Sequence, residues 1–149
     1  DGIAVEIKTT TANPHEKLQI SNVLQLESEG LDHLYLCHIA VVMHQDSGTS
    51  LPELIEDIRN MVVSEPLAVE LLNEKLLLSG YLDSDSHLYD EIGYYVLHCR
   101  IYEVSEDFPR LLGDSLPEGV GDVKYSIVVS KCSRFMVDPD PFQGGNQNE

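Results

Sequence analysis

The chain has 149 residues, 42% of them hydrophobic and 23% charged. That length suits one domain with a core large enough to need no disulfide or metal staple, and no apolar run is long enough to span a bilayer. Nine Lys+Arg against 26 Asp+Glu give a formal charge of −17, and the basic residues form no stripe, which excludes a simple polybasic nucleic-acid binder.

The chain begins with Asp1-Gly2, a turn dipeptide, and lacks an initiator Met. The expectation is a chain cut inside a hairpin, with an N-terminal part missing. Residues 3–8 alternate: Ile3, Val5 and Ile7 face one way, and Ala4, Glu6 and Lys8 the other. This predicts a strand with Ile3, Val5 and Ile7 on its buried face. A loop follows to Pro14, then a short extended piece over 17–20. Ser21 reads as the N-cap of a short helix running to about Glu29 and stopped by Gly30. Residues 34–43 are almost continuously apolar, which suits a central strand covered on both faces.

Ser50-Leu51-Pro52-Glu53 matches a capping box with proline in the first turn, and Leu51, Leu54, Ile55, Ile58, Met61 and Val62 recur at helical spacing. Ser64-Glu65-Pro66 opens a second helix that ends before Gly80. Residues 82–91 read as a polar loop. Residues 92–104 form a long strand. A Pro/Gly-containing connection over 107–121 leads to the last strand, 123–129, with a possible extension to Phe135. Residues 1–137 read as a single domain, and 138–149 have the composition of a disordered tail.

Three cysteines, Cys37, Cys99 and Cys132, are widely separated in the sequence and read as buried small hydrophobes in a reducing compartment. With no signal peptide recognised, the expected location is cytoplasmic. The six histidines have no metal-binding spacing. His38 and His98 read as core or edge residues, and His15 as an exposed loop residue. Tyr94, Tyr95 and Tyr102 have aromatic faces for stacking on bases, but a packing role suits strands this apolar better.

The chemistry-bearing pattern is on the first strand. Side chains two apart on a strand share a face, roughly 7 Å apart at the backbone. Glu6 and Lys8 therefore reach one small site, either as a surface ion pair worth about 0–1 kcal/mol or as working groups. A carboxylate is a hard oxygen ligand suited to Mg²⁺. A bound metal polarises a phosphoryl oxygen and activates water, and a neighbouring ammonium offsets developing charge. A second Asp-x-Lys, Asp122-Val123-Lys124, is followed only by the last strand and the tail. The Glu6 strand is followed by a helix and a buried strand, the crossover that a parallel pair needs.

The segment GIAVEIKTTTANPHEKLQISNVLQLESEG, with Gln25-Leu26 on the following helix and Asp107-Phe108-Pro109-Arg110 before the final strand, resembles the PD-(D/E)xK nuclease superfamily, and within it an uncharacterised bacterial family. The resemblance implies an α/β, restriction-endonuclease-like mixed sheet flanked by helices, with a C-terminal helix-pair plus strand extension. It implies a nuclease hydrolysing DNA phosphodiester bonds with Mg²⁺ or Mn²⁺, in bacterial restriction or anti-phage defence. Glu6 would be a metal ligand, Ile7 would offer its backbone carbonyl, Lys8 would position the attacking water, and Gln25 would face the site. The superfamily's first acidic residue has no convincing match, and the resemblance places it upstream of Asp1, so this chain alone would be inactive. The charge of −17 disfavours DNA unless a partner protein or a missing segment supplies cations. The alternative is a catalytically inactive nuclease-like module that serves protein–protein assembly.

Overall fold

A computed structural model describes residues 2–137; the tail over 138–149 lies outside them. The elements in order are β1 (Ile3–Thr10), β2 (Lys17–Ile20), β3 (His33–Gln45), β4 (Thr49–Ser50), α1 (Leu51–Val62), α2 (Pro66–Leu78), β5 (Ile92–Glu103) and β6 (Tyr125–Val128), with short 3-10 turns between them. The protein is α/β. Its main sheet has the order β1-β3-β5-β4, and β2 pairs with β6 in a second, two-stranded sheet. The main sheet is mixed, with β1 parallel to β3 and β4 antiparallel to β5, in the manner of a restriction-endonuclease-like fold. The described residues divide into two compact units: 2–41 with 96–137, and 42–95.

In the first unit, the register of β1 on β3 decides which residues the core takes. Ala4, Glu6, Lys8 and Thr10 pair with Leu34, Leu36, His38 and Ala40, so these eight share one sheet face. On β5, Tyr102 belongs to that same face. It joins Leu34 and Leu36 in a cluster with Leu18 and Ile20 of β2, Ile127 of β6, and Leu26, Val129 and Phe108. The opposite face carries a smaller cluster of Tyr35, Cys37 and Ile101. Being covered on both faces explains the unbroken apolar run of β3.

This register corrects the sequence reading of β1. Ile3 and Ile7 are 65% and 60% exposed, and Val5 is also exposed. The covered face is that of Ala4, Glu6, Lys8 and Thr10, because it is the one that β2 and β6 close over. Two further corrections are local. The piece after β2 is a single 3-10 turn, Val23–Leu26, capped by Asn22 and not by Ser21. The last strand stops at Val128 and passes into 3-10 turns over Val129–Lys131 and Ser133–Phe135.

In the second unit, Ser50 caps α1 with a complete capping box, its hydroxyl accepting from the Glu53 N–H while the Glu53 carboxylate accepts from the Ser50 N–H. That bond holds the Glu53 carboxyl below its usual pKa. Pro66 starts α2, which buries none of its residues. Residues Asp83–Tyr89, read as loop, form a 3-10 turn, and Asp83 pairs with Arg59 at 2.9 Å. Gly93 lies against the Ser47 carbonyl so closely that a Cβ would stand 2.0 Å from its oxygen.

Candidate functional site

Glu6, Lys8 and Gln25 meet in the first unit. Lys8 Nζ lies 2.9 Å from Glu6 Oε1 and donates to Gln25 Oε1 at 2.8 Å. The same amide oxygen accepts from the Ser21 backbone N–H at 2.9 Å. The side chains of Lys8 and Glu6 are only 15% and 24% exposed. Partial withdrawal from water reduces the solvent screening of the pair and puts it at the upper end of an ordinary surface contact. It also fixes the ammonium between an anionic and a neutral oxygen.

Local structure explains the meeting. The period of β1 puts Glu6 and Lys8 on one face, and the parallel crossover returns the chain over that face. The Asn22 side chain accepts from the Leu24 N–H and starts the turn that carries Gln25. Arg110 holds the far end of this turn: its Nη1 donates to the Leu26 carbonyl oxygen, and Nη1 and Nη2 both donate to Ser28 Oγ at 3.2 Å. The Asp107–Arg110 segment thus clamps the turn through the guanidinium.

Beyond Lys8, the same face carries a histidine cluster that sequence spacing did not reveal. Thr10 Oγ1 bonds to His38 Nε2 at 2.8 Å and to His15 Nδ1 at 3.0 Å. A hydroxyl has one proton to donate, so at least one of the two rings must donate to Thr10. His38 and His98 pack edge to face with centroids 5.3 Å apart, and His15 stands 6.3 Å from His98. His38 is fully buried. Burial lowers its pKa from 6.5 to about 4, and the neighbouring His98, His15 and Arg100 push it the same way. Burial is also the main cause that lowers His98. His38 Nδ1 and His98 Nε2 are buried without a hydrogen-bond partner. Only the parallel register, Lys8 opposite His38, brings these groups beside the Glu6–Lys8 strand. His15, read as an exposed loop residue, is tied to that strand through Thr10.

The competing Asp122-Val123-Lys124 triplet lies outside any strand, and Asp122 has a positive φ of 51°. Its carboxylate and ammonium therefore lack the two-residue strand repeat that places Glu6 with Lys8. Tyr102 is buried in the core, whereas Tyr94 and Tyr95 are exposed. Cys37 and Cys99, distant in sequence, bring their sulfurs to 3.4 Å.

Among the described residues, no three His, Cys, Asp or Glu side chains form a group able to hold a metal ion. Among the described residues, Glu6 is the carboxylate paired with Lys8. A single hard oxygen donor suits Mg²⁺ or Mn²⁺ shared with substrate phosphate and water, and does not suit a closed zinc site. Among the described residues no helix is long and apolar enough to cross a membrane.

No curated protein and no solved structure matches the chain. One family does, over residues 1–130, described as "Putative PD-(D/E)XK family member, (DUF4420)".

Proposed function

The chain belongs to this PD-(D/E)XK family, and from that premise we propose that it is a metal-dependent nuclease acting on DNA, in a bacterial restriction or anti-phage setting. The observation that carries the reading is the contact of Lys8 with both Glu6 and Gln25. Glu6, with the Ile7 carbonyl, would hold a divalent ion, Mg²⁺ or Mn²⁺, which supplies Lewis-acid polarisation of a phosphoryl oxygen when bound. Lys8 orients the attacking water and balances charge on the phosphoryl oxygens. Gln25 accepts one of the three ammonium protons of Lys8, leaving the others for Glu6 and the water. The family pattern assigns the ion a further carboxylate, which a partner protein would supply. Such a partner would also supply the cations that a chain of −17 needs near a polyanion.

The test is cleavage of duplex DNA with Mg²⁺ or Mn²⁺ by the protein within its full-length context, alongside Lys8→Met. Loss of cleavage by at least about a hundredfold, the size of a lost general acid–base or charge-stabilising group, is expected. Wild-type rates in Lys8→Met would remove Lys8 from the mechanism.

A second reading, a nuclease-like module for protein assembly, is favoured by α2. Its Leu67, Leu71, Leu77 and Leu78 are all exposed, more than isolated surface leucines require. Under this reading, Leu67→Glu with Leu78→Glu would abolish recovery of a protein partner, while Lys8→Met would not.

A further inference from the structure

The face that carries Glu6 and Lys8 continues across the sheet to a cationic residue, Arg100. On β5, His98, Arg100 and Tyr102 alternate along the strand. Tyr102 packs with Leu34 and Leu36, and His98 packs against His38, so Arg100 points to the same side as Lys8. Two strand spacings separate β5 from β1, about 10 Å. Among the described residues, Lys8 and Arg59 pair with carboxylates, and Arg110 and Arg134 bond to backbone and serine oxygens. Arg100 lies against the Tyr102 hydroxyl and has no carboxylate partner among the described residues.

Arg100 also lines a cleft of about 470 Å³ with His15, Tyr102, Ser130 and Ser133; Glu16 lies on its wall. The donors available there are the Arg100 guanidinium, the His15 imidazole and the Ser130 hydroxyl; the Ser133 hydroxyl already donates to the Ser130 carbonyl oxygen at 3.1 Å, and the Tyr102 hydroxyl lies against Arg100. His15 links the cleft back to β1 through Thr10, one strand repeat beyond Lys8.

Guanidinium and imidazole groups with a hydroxyl form a donor set for a phosphate. Resting on the nuclease reading above, we propose that this cleft takes a second phosphodiester group of the strand whose scissile phosphate lies at Glu6 and Lys8. A nucleic-acid backbone carries one charge per ~3.4 Å of rise along a strand, so a strand anchored at Lys8 presents a further phosphate at the distance of Arg100. The Arg100 guanidinium is near enough to disfavour a proton on His38, so it stands on this face as a fixed positive charge within an acidic chain. Two such anchors fix the direction of the strand across the sheet as well as its affinity.

The test is fluorescence anisotropy of a labelled DNA duplex at low salt in EDTA, where nothing is cleaved, with a salt titration. The proteins are wild type, Arg100→Gln, Arg100→Lys and Glu6→Gln. Arg100→Gln should bind about tenfold more weakly, as for one lost charge-assisted hydrogen bond. Its log–log salt slope should fall by about one. Arg100→Lys should keep the slope and recover part of the affinity, and Glu6→Gln should bind no more weakly than wild type. DNA binding by Arg100→Gln with unchanged affinity and slope overturns the proposal and leaves the nuclease reading standing. A parallel thermal-shift titration with inorganic phosphate separates the two failures. Arg100-dependent stabilisation by phosphate without DNA binding would make the cleft a free-phosphate site, which overturns this proposal and leaves the nuclease reading to the cleavage test above. If neither DNA nor phosphate responds to Arg100, the cleft is not an anion site.

Discussion

His38 is the residue whose protonation should most visibly set the pH dependence of stability. Its ring is fully buried, bonded through Nε2 to Thr10, and held at a pKa of about 4 against 6.5 in an unfolded chain. Above pH 6.5 the ring is neutral in both states and contributes no pH dependence. Between 6.5 and about 4 the unfolded chain binds a proton that the folded protein refuses. Stability therefore falls as pH falls through this window and levels off below it. The loss from pH 7.5 to 4.5 works out at about 2.5 kcal/mol from this ring, or about 5–10 °C in melting temperature for a protein of this size. Urea denaturation followed by circular dichroism at both pH values, on wild type and His38→Gln, isolates the effect. Glutamine retains polar atoms for a bond to Thr10 but does not titrate. His98, lowered in the same direction, remains in both proteins, so the difference between them reports His38 together with its coupling to His98. The variant should lose about 2.5 kcal/mol less than wild type over the interval. Equal losses in the two proteins would refute the assignment, as would a wild type more stable at pH 4.5 than at 7.5.

Three further outcomes follow from other contacts. A double-mutant cycle of Glu6→Gln and Lys8→Met should give a coupling of about 1 kcal/mol at low salt, since the pair is only partly withdrawn from water; coupling above about 3 kcal/mol would make the pair a structural element. Arg110→Lys should cost about 1–3 kcal/mol in thermal denaturation, because one ammonium cannot serve both the Leu26 carbonyl and Ser28 as the forked guanidinium does. It should also lower cleavage by loosening the turn that carries Gln25. Gly93→Ala should cost about 3 kcal/mol or more, because its Cβ meets backbone at Ser47 and Gly48; a stable, well-folded alanine variant would show that the Ser47 turn yields.

Local chemistry made several elements legible in the sequence. The capping box at Ser50 and Pro66 at the start of α2 are satisfied within a few residues, so no distant contact could override them. The unbroken apolar run of β3 announced a strand covered on both faces. The β1 pattern announced a strand with Glu6 and Lys8 on one side, since a period of two is a property of the strand itself. The pattern could not say which side the core would take. Isoleucine and valine opposite glutamate and lysine pointed to the wrong face, because hydrophobicity ranks faces only when a covering layer is free to choose. Here the layer was chosen by pairing. The register Glu6 to Leu36 and Lys8 to His38 put the polar residues on the side that β2 and β6 close over. The 3-10 turn at Gln25 was misread as a helix from Ser21, because the Asn22 cap and the Arg110 clamp that set its ends depend on geometry and on a residue 84 positions from Leu26.

The sequence by itself thus determined that a carboxylate and an ammonium share one side of a strand and that a family pattern surrounds them. Only the tertiary structure decided what stands beside them: Gln25 on the ammonium, Thr10 tying His15 to His38, and Arg100 across the sheet. Spacing along the chain encodes neighbours within one element. Neighbours on different strands are set by register, a long-range choice that no local periodicity records.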